Sequence, residues 1–159
     1  MTAAGLDVSV VIPCHAAAGT VGALLDALRA QDLPHERYEV IVVDPCADGT
    51  HRLLERIAAG WSTPPELRVV RGPLRDGPAA KRNLGASLAR GRVLAFTDSD
   101  CVPEPGWLDQ GLAAVDRGAQ VVQGAVIPPD GSRHHPLSHE IHVLSDVGLH
   151  ETSNMFYER

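Results

Sequence analysis

Short apolar runs alternate with stretches of helical periodicity along most of this chain, and that alternation limits the fold more than any other feature. Strands are predicted at 8–12, 40–43, 67–70, 93–96 and 120–123. Helices are predicted at 21–28 behind a cap at Thr20, at 51–59, at 78–90, and from 105 or 106 to 117. A glycine ends each of the last three helices shortly before the next strand: Gly60, Gly91 and Gly118. The pattern predicts an α/β fold, with a mostly parallel sheet and helices on both faces.

Composition excludes several classes of protein. The 159 residues are enough for one domain with a sizeable core, and 44% of them are hydrophobic. The net charge of -6 argues against a nucleic-acid surface or an anionic-membrane surface. No apolar stretch approaches the roughly 20 residues of a transmembrane helix. The chain starts without a signal-peptide pattern and its three cysteines have no paired spacing, so a reduced, cytoplasmic protein is predicted.

Two carboxylates separated by one residue follow the predicted strand at 93–96. Asp98 and Asp100 flank Ser99 where that strand leaves the core. Ligands of open α/β sheets bind outside the carboxyl ends of the strands, and paired carboxylates suit a hard divalent cation. The alternative is that Asp98 caps a turn and Asp100 is a solvated loop residue. Taken as ligands, these residues predict a cation that holds a phosphate-bearing molecule.

Polar or small side chains also follow the other strands and open the third helix. The first strand is followed by Pro13, Cys14 and His15, and the second ends at Asp44. Lys81 and Arg82 stand in the first turns of the third helix, whose N-terminus attracts anions. Read separately, Asp44 is more often a turn residue, and Lys81 and Arg82 more often belong to a solvated first turn of a helix. Their shared position at one sheet edge favours a site for a metal-bound nucleoside diphosphate.

The ordered set of these segments resembles the family 2 glycosyltransferases, which have the GT-A nucleotide-diphospho-sugar transferase fold. The matching segments are 8–13, 39–44 with 48–50, 80–85 and 91–100. The resemblance covers residues 7–126, which it identifies as the nucleotide-sugar-binding half of a single domain spanning 1–159. Residues 127–159 then correspond to the start of the acceptor-side region, so the fold is expected to be truncated on that side.

The resemblance implies a role for each residue at the sheet edge. Asp100 would hold Mg²⁺ or Mn²⁺ against the diphosphate, and Asp98 would contact the ribose or the metal, with Ser99 between them. Arg82 would help to hold the nucleotide. The base pocket would be lined by Pro13, Cys14, His15 and Asp44. The expected activity is metal-dependent transfer of the sugar from a UDP- or GDP-sugar to an unknown acceptor.

The chain departs from the family pattern at several positions. Ala16 stands where the family often has Asn, and Pro45 and Cys46 follow Asp44 in place of its usual polar residues. The family's carboxylate base lies in the acceptor-side half, and no residue here is assigned to that role. The chain alone is therefore expected to bind nucleotide with little or no transfer. Met155, Phe156 and Tyr157 are expected to remain partly uncovered and to favour self-association through the C-terminal end.

The sequence leaves several other interpretations open. The chain could be a non-catalytic nucleotide-binding module or a half-domain without its catalytic base. A nucleotidyltransferase is disfavoured because the loop at 16–20 carries no basic residue. A transition-metal site at His134, His135, His139 and His142, and an acid or base role for Glu140 or Glu151, are less favoured than a solvated segment. Cys14, Cys46 and Cys101 each follow a strand end and would either surround the nucleotide pocket or fill the core.

Overall fold

The computed structural model describes residues 5–127 and 152–159. Six strands form one sheet in the order β3-β2-β1-β4-β6-β5. The strands are β1 Val8–Pro13, β2 Tyr38–Asp44, β3 Glu66–Arg71, β4 Val93–Thr97, β5 Val121–Gln123 and β6 Asn154–Glu158. The helices are α1 Val21–Arg29, α2 Gly49–Ala59, α3 Gly77–Leu88 and α4 Trp107–Asp116, with a short 3-10 turn at His35–Arg37. None of the helices within the two described ranges is long and apolar enough to cross a membrane.

The centre of the sheet is parallel. Strand β1 pairs in parallel with β2 on one side and with β4 on the other, and β2 pairs in parallel with β3. Every residue of β1 and of β2 is buried. Strands that are covered on both faces read as continuous apolar runs, which is the pattern that predicted them. The predicted α/β fold with a mostly parallel sheet is confirmed.

Helices cover both faces of the sheet. Side chains point alternately to the two faces along each strand, so each strand presents apolar residues to the helices on both sides. Val10, Ile12 and Val40 face the larger core, which contains the apolar residues of α1, α2 and α4. Val11 and Ile41 face the opposite side, where α3 packs. A Cβ on Gly85 of α3 would lie 2.4 Å from Cγ1 of Val11, so only glycine lets this helix approach the sheet so closely.

Side-chain hydrogen bonds move two helix boundaries from their predicted positions. Helix α2 begins at Gly49, earlier than predicted, because Oδ1 of Asp48 caps it by accepting from the Thr50 amide at 2.7 Å. Helix α3 ends at Leu88, before the predicted Arg90, because the Arg90 amide donates to Oε1 of Glu39 at 2.8 Å. The predicted side-chain cap at Thr20 is absent from α1, although Thr20 does precede its first residue.

The expectation that the C-terminal apolar residues are partly uncovered is wrong for Met155 and Phe156, whereas Tyr157 is half-buried. They form β6, which pairs antiparallel with both β4 and β5, so Met155 is fully buried and Phe156 is 2% exposed. The ring of Phe156 lies 5.0 Å from that of Trp107 on α4, centroid to centroid, and Trp107 Nε1 donates to Oδ1 of Asn154 at 2.7 Å. The predicted self-association through this end therefore loses the exposed surface on which it depended.

Some predictions concern residues outside the described ranges. The histidines at 134, 135, 139 and 142 and the carboxylates Glu140 and Glu151 lie there. The division of the chain at residue 126 also falls next to that segment, and it stays a prediction.

Candidate functional site

A cleft of about 620 Å³ opens at the carboxyl ends of β1 and β4, beside the N-terminus of α3. Three parts of the chain form the cleft: the loop after β1, the loop that precedes α3 together with the first turns of that helix, and the loop after β4. Its lining residues are Pro13, Cys14, His15, Ala16, Ala17, Thr20, Leu74, Arg75, Gly77, Pro78, Lys81, Arg82, Asp98, Ser99 and Asp100. The structure thus brings together all but one of the predicted site residues, because the carboxyl ends of parallel strands share one sheet edge.

The floor of the cleft is formed where β1 ends. The Cys14 amide donates to the Val43 carbonyl at 2.9 Å, and the Cys14 side chain is fully buried. Burial, together with the charges of Asp44 and Asp48, raises the pKa of the Cys14 thiol to about 12. Since the thiolate is the nucleophilic form, the raised pKa disfavours a nucleophilic role for Cys14.

The loop after β1 is held in place by the start of α2. Ala16 has a φ of 50°, in the left-handed region, and its amide donates to Oδ2 of Asp48 at 2.9 Å. The Ala17 amide donates to Oγ1 of Thr50 at 3.0 Å. The hydrogen bonds that Asp48 accepts from Thr50 lower its pKa, so the carboxylate stays charged while it holds the loop. His15 projects from this loop, with its side chain 59% exposed.

Two basic residues of α3 face the cleft. Lys81 is only 5% exposed, and its Nζ donates to the Cys14 carbonyl at 3.0 Å. Arg82 forms an ion pair with Asp98, which joins α3 to the end of β4. The Nε of Arg82 is buried and has no hydrogen-bond partner. A buried donor without a partner is costly, and an anion in the cleft would satisfy it.

The two carboxylates after β4 differ in their surroundings. Asp98 is 35% exposed and paired with Arg82. Asp100 is exposed, and within the described residues no cationic side chain pairs with it; Sγ of Cys101 lies 3.9 Å from its Oδ1. These residues fit a divalent cation, because Asp100 has carboxylate oxygens free to ligate it while the charge of Asp98 is already compensated.

Asp44 is the predicted site residue that does not line the cleft. It is 1% exposed, and its Oδ2 accepts from the Cys46 amide at 2.9 Å and lies 3.2 Å from Nδ1 of His51. Its Oδ1 is buried without a hydrogen-bond partner. Of the three thiols, Cys14 lines the cleft, whereas Cys46 and Cys101 lie outside its lining, which corrects the hypothesis that all three surround it.

Sequence reasoning missed some of the lining. Leu74 and Arg75, from the loop before α3, and Thr20, from the start of α1, all reach the cleft. The available signal was the turn-forming segment at 72–77 directly before Pro78, since a loop that feeds a helix N-terminus also forms the wall of an anion site.

Comparison with known sequences identifies a matching family model and several relatives. The family model described as Glycosyl transferase family 2 matches residues 9–158. Glycosyltransferase AglE of Haloferax volcanii is 33% identical over 121 residues, which are 75% of this chain and 39% of AglE. The chain thus spans about two fifths of the length of this curated relative.

Solved structures of related enzymes share the fold. Residues 1–349 of TarS from S. aureus, crystallised in complex with UDP, align with a TM-score of 0.63 and 28% identity, covering 78% of this chain and 38% of that one. The mannosyltransferase PcManGT from Pyrobaculum calidifontis, in complex with GDP-Man and Mn²⁺, aligns with a TM-score of 0.68 and 28% identity, covering 77% of this chain and 36% of that one.

Proposed function

The chain belongs to glycosyl transferase family 2, and from that premise we propose that its cleft binds a nucleotide-diphospho-sugar together with a divalent cation, for transfer of the sugar to an acceptor. One observation carries the proposal. The cleft brings the carboxylates Asp98 and Asp100 together with the cations Lys81 and Arg82 and with the N-terminus of α3. A diphosphate with a bound metal ion needs both signs of charge at one place.

The basic side of the cleft accounts for binding of the diphosphate. Arg82 offers a planar fork of donors, and its unpartnered Nε is one of them. Lys81 adds a second positive charge, and α3 begins at Gly77, where the free N–H groups of a helix N-terminus attract anions. In this proposal, these groups bind and orient the diphosphate.

The acidic side accounts for the cation. Asp100 would hold Mg²⁺ or Mn²⁺, and Asp98 would keep Arg82 in place or reach the ribose. When bound, the cation supplies Lewis-acid stabilisation of the departing nucleoside diphosphate. PcManGT, with GDP-Man and Mn²⁺, supports a divalent ion in this chain.

The base is assigned to the loop after β1. Pro13, Cys14 and His15 line that end of the cleft, and Asp44 lies behind it with one buried oxygen that has no partner. TarS was crystallised with UDP and PcManGT with GDP-Man, so the proposed donor is a UDP- or GDP-sugar.

A second candidate is binding of the nucleotide sugar without transfer. The acidic residues that line the cleft are Asp98 and Asp100, and both are used in the proposed binding of the donor. This leaves no lining carboxylate in the described parts of the chain to accept the proton of an acceptor hydroxyl.

A cytoplasmic location, with three free thiols in the described structure, also stays part of the proposal.

Binding is tested by thermal unfolding of the purified chain with UDP or GDP, in the presence and absence of Mn²⁺. A nucleotide at 100 times its Kd should raise the free energy of unfolding by about 2.7 kcal/mol. We expect that gain with Mn²⁺ and a much smaller one without it. Asp100→Asn should remove the effect of Mn²⁺, whereas the control Asp109→Asn, on the exposed face of α4, should keep it. Equal shifts with and without the metal would contradict the proposal.

Transfer is tested separately from binding. Release of nucleoside diphosphate from a UDP- or GDP-sugar is followed with and without a panel of sugar and polyol acceptors. Acceptor-dependent release that disappears in Asp100→Asn supports the transferase. Tight binding with no release favours the non-catalytic module.

A further inference from the structure

A second group of metal-binding side chains lies outside the lining of the cleft, where β2 leads into α2. Asp44 ends β2, Cys46 follows in the connecting loop, and His51 lies in the first turns of α2. One ligand atom from each lies within 4.8 Å of the other two. We propose that Asp44, Cys46 and His51 form a binding site for a transition-metal ion of the Zn²⁺ class.

The distances match what such an ion requires. Sγ of Cys46 lies 3.1 Å from Nδ1 of His51, and that nitrogen lies 3.2 Å from Oδ2 of Asp44. Metal–ligand bonds of the usual lengths in a tetrahedral Zn²⁺ site place sulfur, nitrogen and oxygen ligands about 3.3–3.6 Å apart. The three ligand atoms lie within 4.8 Å of one another, so the proposal requires that the side chains draw together around the ion. Three protein ligands leave a fourth position for water or another small ligand.

The histidine is oriented by a further carboxylate. Nε2 of His51 lies 3.3 Å from Oε1 of Glu55, one turn further along α2. Metal-bound histidines usually donate their other ring N–H to such a group, which fixes the tautomer and the plane of the ring. Glu55 is therefore a positioning residue, and Nδ1 is the nitrogen left to face the metal.

A buried carboxylate oxygen points to a ligand independently of the cluster. Asp44 is 1% exposed, and its Oδ1 has no hydrogen-bond partner. A carboxylate buried beside a thiol, with one oxygen unsatisfied, is costly unless a cation compensates it. The backbone favours the same arrangement, because Cys46 has a φ of 58° and its amide donates to Asp44.

The donor set separates this site from the one at Asp100. Thiolate and imidazole ligands select Zn²⁺ and related ions, whereas carboxylates and water suit Mg²⁺ and Mn²⁺. The two sites are expected to bind different metals. Failure of one proposal leaves the other standing, since Cys46 and His51 have no part in the proposed nucleotide site and Asp44 lies outside the lining of the cleft.

The test uses Co²⁺ as a spectroscopic substitute and Zn²⁺ as a competitor. An equimolar amount of Co²⁺ added to the metal-free chain at neutral pH should produce a thiolate-to-Co²⁺ charge-transfer band, and Zn²⁺ should abolish it. Cys46→Ser should eliminate the band, and His51→Gln should strongly reduce it. Glu55→Gln should weaken Zn²⁺ binding about 10- to 100-fold, measured by calorimetry. The thiolate band distinguishes this site from histidines elsewhere in the chain.

Two controls match these variants. Cys101→Ser removes another thiol, and His35→Gln removes another histidine of the described structure, so both should keep the band and the affinity. Circular dichroism of Cys46→Ser verifies that the fold is intact. Nucleotide binding with Mn²⁺ is measured in the same variant and should persist. The absence of a thiolate band in the unsubstituted chain, or its persistence in Cys46→Ser, would overturn the proposal.

Discussion

Lys81 donates from Nζ to the backbone oxygen of Cys14 at 3.0 Å, which ties α3 to the end of β1 inside the cleft. A buried ammonium held in this way is positioned to contact an anion as well. Lys81→Met should weaken binding of UDP or GDP with Mn²⁺ about 10- to 100-fold, the effect of losing one hydrogen bond to a charged group. Calorimetric titration measures this. The control Arg117→Met lies at the exposed end of α4 and should bind as the unsubstituted chain does; an unchanged affinity in Lys81→Met would exclude the contact.

Arg82 and Asp98 should be energetically coupled before any ligand binds. The pair is partly buried, and each residue keeps the other charge compensated. Arg82→Met and Asp98→Asn should each lower the free energy of unfolding, and the double variant should lose less than the sum of the two. The expected coupling is about 0.5–3 kcal/mol, measured by a double-mutant cycle in denaturant. Strict additivity would show that the two residues act independently.

Protonation of Glu39 should lower the free energy of unfolding at acid pH. Burial acts to raise its pKa, but hydrogen bonds from Arg90 and Ser9 outweigh burial and hold the pKa below the ordinary value of 4.5. A lowered folded-state pKa means that the stabilisation is complete above pH 4.5 and is lost as the pH falls through the folded value. Glu39→Gln should cost about 1–3 kcal/mol at neutral pH and should flatten the acid limb of a stability–pH curve.

The control for this variant is Glu36→Gln, an exposed carboxylate in the 3-10 turn. Glu36→Gln should change neither the free energy of unfolding at neutral pH nor the acid limb of the stability–pH curve. If Glu39→Gln keeps the same slope below pH 4.5, the acid sensitivity comes from other carboxylates.

Position 111 should tolerate only glycine without loss of stability, because the ring of Phe156 packs against it. A Cβ at this position of α4 would lie 2.3 Å from Cε1 and Cζ of that ring. Gly111→Ala should therefore destabilise the chain by about 1–3 kcal/mol through overpacking, and adding Phe156→Leu should restore part of the loss. The measurement is the denaturant midpoint. Gly22→Ala is the matched control, because it lies in α1 with nothing within 4 Å of its Cβ and should stabilise by up to about 1 kcal/mol.

The central strands and the four helices of the described ranges could be predicted because their signals are local. Buried parallel strands are continuous apolar runs, and the helices carry a helical spacing, with a glycine near the end of α2, α3 and α4. Strand β6 could not be predicted in this way. Its pairing of Phe96 with Met155 joins distant parts of the chain, and no local pattern in 154–158 indicates which strand of the sheet β6 pairs with.

The candidate site was predictable in outline for a topological reason. Residues after β1 and β4 must meet, since neighbouring parallel strands end at one edge. The turn of Asp44 towards His51 could not be foreseen, because it depends on the positive φ of Cys46 and on a helix start set by Asp48. The burial of Lys81 likewise follows from a contact with a backbone carbonyl, and sequence spacing does not encode such a contact.

The place of β6 between β4 and β5 has a consequence for the order in which the chain folds. Strands β4 and β5 leave the ribosome well before residues 154–158. During synthesis, the edge of β4 therefore lacks β6, the strand that pairs with it in the folded protein. An open edge with apolar side chains is a template for pairing with another nascent chain. The growing protein is therefore expected to expose an aggregation-prone edge of β4 until Phe156 and its neighbours emerge and pair with it.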